Sequence, residues 1–387
     1  GALSHAMPAS RRARQHDLVV FGASGTTGVQ IVKELLSERN KGHLTFAVAG
    51  RSEERTRAAL QAAIPDRDAV AKIEVLVAST EDVSSLRNMA AACRVLLNAV
   101  GPYRHHGRPV VQACLDEHTD YVDICGEPLF LEDIELMHDG KARDEEVLII
   151  GACGFDSVPA DVGVAYLADA YTERGGLMHS VNTFLTVGGG NYHVNTATFN
   201  AAVEGFGDVK TLAKVRKSLV SSRESVWGGT TKPMKPPGRK PKTRKRWWFD
   251  ADMKKYCALF PGSDASIVRR STALRSVRLG VPQFFVGCYM TLSSRVWLAT
   301  FAVMGSIFAF LAKYEFGRRI LKSAPGLFTL GLFRPGGPSE EEMRHNSFEM
   351  YYRGTGWSKA PSGDDRQSKS PDLIVDMKMY CTRQSPS

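Results

Sequence analysis

The sequence predicts an α/β protein in which a doubly wound parallel sheet is followed by a second, mixed α/β domain carrying a hydrophobic helical segment. Three observations predict this fold. An apolar run, a glycine-rich turn and an amphipathic stretch follow one another at residues 18–36. Strand-like and helix-like stretches then alternate up to residue 152, as doubly wound sheets require. Further along, residues 296–312 contain no charged side chain.

The first strand and the turn after it have the pattern of a dinucleotide-binding site. Residues 18–21 are an unbroken apolar run, typical of a buried parallel strand. Three glycines follow in the spacing G-x-x-G-x-x-G, and either threonine between them can cap the next helix. A helix N-terminus offers N–H groups and a positive dipole end to a pyrophosphate, whereas a purely structural glycine turn is the alternative. We expect a Rossmann domain whose cofactor-binding residues include Gly22, Ser24, Gly25, Thr26, Thr27 and Gly28.

The end of the second predicted strand indicates which nicotinamide cofactor binds. Residues 44–49 form that strand, and Arg51 and Ser52 follow it. An NAD enzyme places Asp or Glu here for the ribose 2′-hydroxyl, whereas an NADP enzyme places a cation for the 2′-phosphate. The guanidinium of Arg51, beside the hydroxyl of Ser52, matches a phosphate. The sequence therefore predicts NADP(H), with a solvated surface arginine as the alternative.

The remaining alternation completes the first domain. Helices are predicted at 53–63, 86–92, 110–117 and 131–145, and strands at 73–77, 94–100, 121–124 and 147–152. Ligands of such sheets bind at the carboxyl ends of the strands. The fourth strand ends in four residues that we therefore expect to contact the nicotinamide: Ala99, Val100, Gly101 and Pro102.

No motif identifies the group that would give a proton to a substrate. Reduction by NADPH needs such a donor within hydrogen-bond reach. Tyr103, at the same strand end, is the first candidate catalytic residue, and Asp156 is the second. The alternatives are that Tyr103 packs on the nicotinamide and that Asp156 caps a helix. His105 and His106, in the adjoining predicted loop, are candidates for relaying protons.

Seven stretches carry a family resemblance in chain order. They are VVFGASG at 19–25, AVAGRS at 47–52, NAVGPYR at 98–104, YVDICGEP at 121–128, GFDSVPADVG at 154–163, GFGD at 205–208 and GSDASIVRR at 262–270. In these stretches the chain resembles the saccharopine dehydrogenase-like oxidoreductases. The resemblance implies a Rossmann domain, a mixed α/β domain and NAD(P)H-dependent oxidoreductase activity, without implying saccharopine chemistry. It also implies bacterial relatives that look like enoyl reductases of lipid chains, and a eukaryotic branch found on lipid droplets and membranes.

The expected organisation has three parts. Residues 1–15 form a disordered arm, 16–153 the Rossmann dinucleotide-binding domain and 154–387 the mixed α/β domain. Relatives continue past the last strand into a helix on the nucleotide domain, so we expect a chain ending at Ser387 to have a less stable first domain. Seven scattered cysteines without a C-x-x-C pair argue against a metal site or a disulfide framework and favour a reducing compartment.

Two segments of the second domain are typical of proteins that contact membranes. The predicted basic loop, 221–246, holds eight Lys or Arg within 232–246 and meets two tryptophans, which suits an anionic lipid surface better than nucleic acid. The apolar stretch 296–312 is slightly shorter than the roughly twenty residues of a membrane span. A second apolar run follows at 324–333, and two short apolar helices with basic residues between them fit a monotopic anchor. The alternatives are a solvated basic loop and a buried core helix.

The sequence therefore predicts an NADP(H)-dependent oxidoreductase that reduces a hydrophobic, lipid-like substrate. Its membrane-associating segment would be 296–333, and it would act at the cytoplasmic face of a membrane or at a lipid droplet, with the mitochondrion as another location. The expected partners are that small molecule and the lipid surface; a homodimer is also considered, and nucleic acid is not expected. The alternative is a catalytically silent nucleotide-binding protein of the same surfaces.

Overall fold

The computed structural model describes residues 14–37, 40, 42–155, 157–188, 193–226, 232–242, 246–361 and 370–382. These residues form two compact units. One comprises the described residues up to Gly154 together with Thr211–Leu219, and the other comprises Phe155–Lys210 and the described residues from Val220 onward. The expected disordered arm lies almost wholly outside the described residues, since only its last two residues are included.

Six parallel strands form the sheet of the first unit. They are β1 (His16–Phe21), β2 (Phe46–Gly50), β3 (Val75–Val77), β4 (Cys93–Asn98), β5 (Asp120–Asp123) and β6 (Ile149–Ile150). Their order across the sheet is β3-β2-β1-β4-β5-β6. This is the order of doubly wound dinucleotide-binding sheets, in which the crevice for the ligand opens where the strand order reverses. The first part of the predicted fold class is confirmed.

Among the described residues, six helices cover this sheet. They are α1 (Thr26–Leu35), α2 (Glu53–Ala63), α3 (Arg67–Lys72), α4 (Val83–Ala91), α5 (Tyr103–Asp116) and α6 (Pro128–Asp144). Short α3 was not predicted. Helix α5 begins seven residues before the predicted start at 110, because it continues through Pro109 and its first N–H groups are bound by a carboxylate from another segment. Consequently Tyr103, His105 and His106 lie in a helix rather than in a loop.

The second unit is built on a mixed six-stranded sheet with the order β14-β13-β7-β11-β10-β9. Its strands and two short ones beside it are β7 (Leu177–Gly188), β8 (Val194–Asn195), β9 (Trp247–Asp250), β10 (Lys255–Leu259), β11 (Phe285–Leu292), β12 (Phe333–Arg334), β13 (Ser347–Trp357) and β14 (Leu373–Thr382). Strands β7 and β11 pair in parallel, whereas the other pairs in the sheet are antiparallel. The predicted mixed α/β architecture is confirmed. The two last strands pair as expected, but only β14 is an edge strand, because β13 also pairs with β7.

The remaining helices are α7 (Val158–Glu173), α8 (Thr196–Gly207), α9 (Val209–Val226), α10 (Asp264–Leu279), α11 (Arg295–Ala312), α12 (Glu315–Ser323), α13 (Pro325–Phe328) and α14 (Glu340–His345). Helix α9 continues to Val226, so the first six residues of the predicted loop 221–246 are helical. Residues 227–231 and 243–245 of that loop lie outside the described part of the chain.

The apolar stretch 296–312 forms α11, and Ala312 is its one buried residue. Phe308 packs against Phe199 and Phe206 of α8, with ring centroids 5.5 and 5.1 Å apart. The alternative of a buried core helix is therefore wrong for most of α11. The expectation of a second apolar helix at 324–333 is also wrong, since only the single turn α13 forms there before β12.

Leu321 and Leu327 provide a matched test of how this segment is held. Leu321 of α12 is fully buried with residues of α8 and α11, whereas Leu327 of α13 is 72% exposed. Leu321→Ala should lower the free energy of unfolding by about 2–5 kcal/mol, because it leaves a cavity. Leu327→Ala should change it by less than about 0.5 kcal/mol. Urea denaturation measures both, and equally small effects would show that α12 is not docked as described.

Candidate dinucleotide-binding site

The turn between β1 and α1 has no room for side chains at two of its glycines. Gly22 has a φ of +91°, a conformation that favours glycine, and a Cβ there would lie 2.8 Å from Cγ2 of Val100. A Cβ at Gly28 would collide with the carbonyl oxygen of Gly22. The first turn of α1 can therefore pack directly on the end of β1 only if residue 28 is glycine, and the loop after β4 can approach the turn only if residue 22 is glycine. This close approach is what a dinucleotide pyrophosphate requires of a protein backbone.

The N-terminus of α1 is suited to an anion. Gly25 is the N-cap, so no side chain caps the helix, and the first turn contains no acidic residue. Thr26 and Thr27 lie inside the first turn, which corrects the expectation that one of them is the cap. Helix geometry leaves the first N–H groups without carbonyl partners inside the helix, and the dipole favours negative charge there. Ser24, Gly25 and Thr27 are exposed, so the N–H groups at this helix end are accessible to a pyrophosphate.

Arg51 and Ser52 lie at the same edge of the sheet as the glycine turn. The N–H of Gly22 donates to the carbonyl of Ala49 at 2.9 Å, which places the end of β2 beside the turn. The Arg51 side chain is exposed. The Ser52 hydroxyl accepts from the N–H of Arg55 at 3.2 Å and so caps α2, a role that was not predicted. That hydroxyl still has its own proton to donate to a phosphate.

The loop after β4 lies against the glycine turn. Ala99 donates its N–H to the carbonyl of Phe21, the last residue of β1, at 2.8 Å. A side chain at Gly22 would collide with Val100 of this loop. The predicted nicotinamide contacts therefore continue directly from the pyrophosphate turn along one edge of the sheet: Ala99, Val100, Gly101 and Pro102.

The candidate proton donors have different surroundings from those expected. Tyr103 is buried, its hydroxyl donates to the carbonyl of Asn98 at 2.9 Å, and burial raises its pKa. This hydroxyl would have to break that hydrogen bond before it could serve a substrate. Asp156 lies outside the described residues. His106 Nδ1 lies 3.0 Å from Oγ1 of Thr80, and the neighbouring His105 is exposed.

A buried polar network at the same strand ends was not predicted. Asn98 donates to the hydroxyl of Tyr121 at 3.2 Å, and that hydroxyl donates to Asp123 at 2.8 Å. Asp123 also accepts from the N–H groups of Cys125 and Ala152 at 3.0 and 2.8 Å. Burial nevertheless raises the pKa of Asp123. The network joins the ends of β4, β5 and β6. The feature of the sequence that could have indicated it is the pair Tyr121 and Asp123, at alternate positions of β5.

The carboxylate of Glu127, which precedes α6 in the chain, lies at the N-terminus of α5. This carboxylate, which is buried, accepts from the N–H of Tyr103 at 2.8 Å and from Nε of the partly buried Arg104 at 3.0 Å. A carboxylate at this position neutralises the positive end of the helix dipole. An anionic ligand is therefore directed to α1, whose N-terminus carries no acid, rather than to α5.

The described residues contain no cluster of three or more His, Cys, Asp or Glu that could hold a metal ion. All seven cysteines are free thiols in the structure. At this edge of the sheet the structure offers main-chain N–H groups, the exposed side chain of Arg51 and the buried network.

Comparison with known proteins identifies relatives over most of the chain. A family model described as the saccharopine dehydrogenase NADP-binding domain matches residues 18–150. A saccharopine dehydrogenase-like oxidoreductase of Rattus norvegicus is 34% identical over 362 residues, covering 91% of this chain and 81% of that protein. A lipid droplet localized protein of Caenorhabditis elegans is 32% identical over 380 residues, covering 96% of this chain and 85% of that protein.

The fold also matches a solved structure. The apo saccharopine dehydrogenase (L-Glu forming) of Saccharomyces cerevisiae superimposes with a TM-score of 0.51 at 12% identity, covering 94% of this chain and 85% of that one. At this identity the match shows the fold alone. The family model is that of an NADP-binding domain, so the predicted cofactor, NADP(H), is confirmed.

Arg51 should determine the preference between NADPH and NADH. Losing one charge-assisted contact to the 2′-phosphate costs about 1.5–3 kcal/mol, or roughly ten- to a hundredfold in affinity. Arg51→Ala should weaken NADPH binding by that factor and leave NADH binding unchanged. Arg94→Ala is the control, because Arg94 pairs with Asp17 at the opposite, amino end of the sheet. Calorimetry measures the affinity of the native chain and of both variants for each cofactor, and a native chain that prefers NADH would contradict the assignment.

Proposed function

The chain belongs to the saccharopine dehydrogenase-like oxidoreductase family, and on this basis we propose that it reduces a hydrophobic, lipid-like substrate at a membrane or lipid-droplet surface. Bound NADPH supplies the hydride. The residues of this chain hold the cofactor: the N-terminus of α1 binds the pyrophosphate, and Arg51 with Ser52 binds the 2′-phosphate. Ala99, Val100, Gly101 and Pro102 position the nicotinamide.

The exposed apolar helix α11 is the observation that carries the lipid part of this proposal. It is the one helix among the described residues that is long and apolar enough to cross a membrane. Its outward side presents Val303, which is 58% exposed, and Phe310, which is 64% exposed. Proteins that remain in water rarely expose contiguous apolar surface of this kind, so a lipid phase is its natural partner.

Further aromatic side chains lie on the edge of the second sheet that is joined to the start of α11 by a hydrogen bond. The ring of Phe249, on edge strand β9, lies 5.0 Å from that of Tyr256. The Tyr256 hydroxyl accepts from Nε of Arg295, the first residue of α11, at 2.7 Å. We call this set of side chains the apolar surface: Trp247, Phe249, Tyr256, Trp297, Phe301, Val303, Ile307 and Phe310.

Basic side chains lie next to the apolar surface. Arg246 directly precedes Trp247 and is exposed, and Lys313 at the far end of α11 is exposed as well. Each basic residue near an anionic membrane contributes about 1 kcal/mol, and tryptophan prefers the interface. This combination favours a helix lying in the interface over one that spans the membrane. The worm relative is a lipid droplet localized protein, which supports the same location for this chain.

A second candidate function is a catalytically silent protein that binds the nucleotide and the same surface. The buried Tyr103 hydroxyl favours it, because the first candidate donor is already engaged by a main-chain carbonyl. Turnover separates the two functions. NADPH absorbance should fall when the protein on liposomes is given lipid enals, enoyl thioesters or imines. NADPH binding without turnover of any of these classes would favour the silent protein.

Acidic substitutions on the outward side of α11 should release the protein from lipid. We expect the native chain to float with anionic liposomes, and Val303→Asp with Phe310→Asp to remain in the soluble fraction. Phe308 is unsuitable for this test because it packs against α8. The matched control is Val83→Asp with Val220→Asp, two exposed valines outside the apolar surface.

The released variant should keep its melting temperature and its NADPH affinity, because both substituted side chains are largely exposed. A native chain that ignores liposomes would contradict the surface proposal. Unfolding of the variant would instead show that α11 is part of a core.

A further inference from the structure

The second sheet ends in a long strand whose outer edge is open. β14 pairs with β13 over ten consecutive positions in unbroken register, from Leu373 opposite Gly356 to Thr382 opposite Ser347. Within the described chain no strand lies on its other side. An edge of this length presents a row of N–H and C=O groups that another strand can pair with. β14 contains no proline, the residue that would block such pairing.

The two faces of β14 differ in character. Partly buried side chains alternate with exposed ones along β14, as in any strand with one buried face. The partly buried side chains pack against the core of the second unit. The packed set is Leu373, Val375, Met377 and Met379. The exposed set is Ile374, Asp376, Lys378 and Tyr380. Ile374 and Tyr380 are each 64% exposed, so the apolar ends of this face are open to water.

The exposed set is complementary to itself. If a second copy of β14 runs antiparallel with Met377 opposite Met377, Asp376 lies opposite Lys378 of the second copy, and Ile374 lies opposite its Tyr380. Each pair occurs twice around the two-fold axis. Opposite charges and aromatic–β-branched pairs are the cross-strand neighbours that stabilise antiparallel sheets. On the other face, Val375 lies opposite Met379 of the second copy, so the partly buried core side chains continue across the junction.

Neighbouring registers lack this complementarity. A register centred on Asp376 places the aspartates of the two copies opposite each other, and a register centred on Lys378 places the two lysines opposite each other. Like charges at facing positions destabilise an antiparallel pair. A slip by one residue places the exposed side chains of one copy opposite the core-facing side chains of the other. The register centred on Met377 therefore satisfies both the charges and the two faces.

We propose that two copies of this chain pair through β14, antiparallel about a two-fold axis at Met377. The six strands of each copy then form one continuous sheet. Asp376 already accepts from Nε of Arg353 at 3.2 Å, and Nζ of Lys378 lies 3.9 Å from Oε1 of Glu349. A carboxylate accepts several hydrogen bonds and an ammonium group donates three, so both side chains can also bind a partner in the second copy. Strand β9, which carries part of the apolar surface, is the opposite edge of the sheet, so the pairing leaves the apolar surface free.

A charged residue on an edge strand also has a protective use, because a lysine there discourages association with other strands. The two roles of Lys378 predict different outcomes in solution. Protection predicts a monomer, and removing the lysine would promote association. Pairing predicts a dimer of the 42.4 kDa chain, and reversing the lysine charge would weaken it.

Charge reversal tests the pairing by sedimentation velocity on the full chain. Lys378→Asp alone places Asp opposite Asp, and Asp376→Lys alone places Lys opposite Lys. Each should raise the dimer dissociation constant at least about tenfold, because two attractive pairs become repulsive. An equimolar mixture of the two variants should recover the dimer, since every facing pair is then of opposite charge. Lys217→Asp, at an exposed position of α9, makes the same change in net charge as Lys378→Asp and should have no effect.

A cross-link gives a second, independent readout. Met377→Cys, made with Cys153→Ser and Cys381→Ser to remove the exposed thiols, should form a covalent dimer on mild oxidation. Facing Cα atoms of antiparallel strands are about 4.5–5.5 Å apart, within disulfide range. A native chain that stays monomeric, a dimer indifferent to both reversals, or a mixture that fails to recover would overturn the proposal. If both charge variants unfold, absence of the cross-link overturns it.

Discussion

The first unit depends on the lack of space at Gly22 and Gly28. Because neither position admits a Cβ, the first turn of α1 and the loop after β4 both pack against the end of β1. This contact places a helix N-terminus, the end of β2 and the loop after β4 along one edge of the sheet. The charges around that edge are consistent with its use. Glu127 fills the N-terminus of α5, whereas the first turn of α1 carries no acid and remains suited to phosphate.

Features encoded in a few neighbouring residues could be predicted from the sequence. The glycine turn and α2, found at its predicted bounds, follow from local spacing and capping. The start of α5 could not be predicted, because its N–H groups are bound by Glu127, 24 residues later in the chain than Tyr103. The Asn98–Tyr121–Asp123 network has the same origin, since its members meet only when β4 and β5 pair. Periodicity predicted α11 but could not show that only part of it has a packing partner.

Within the described chain, the sheet of the second unit exposes unpaired main-chain groups at one edge and apolar side chains at the opposite edge. At one edge, β14 exposes main-chain groups that another strand can satisfy. At the other, β9 and α11 expose aromatic and aliphatic side chains whose burial yields roughly 25 cal/mol per Å². The inward side of α11 is already used by Phe199 and Phe206, so its outward side has no partner within the described chain. A lipid phase could cover the apolar side chains of β9 and α11, and a second copy of β14 could pair with the main-chain groups of β14.

Hydrogen–deuterium exchange of the full chain tests most directly whether cofactor and lipid use these two regions. NADPH alone should slow exchange at residues 22–29, at the glycine turn and the start of α1, and leave α11 unchanged. Anionic liposomes alone should slow exchange across α11 and leave the glycine turn unchanged. Unaltered exchange in α11 with liposomes, or at residues 22–29 with saturating NADPH, would contradict the account.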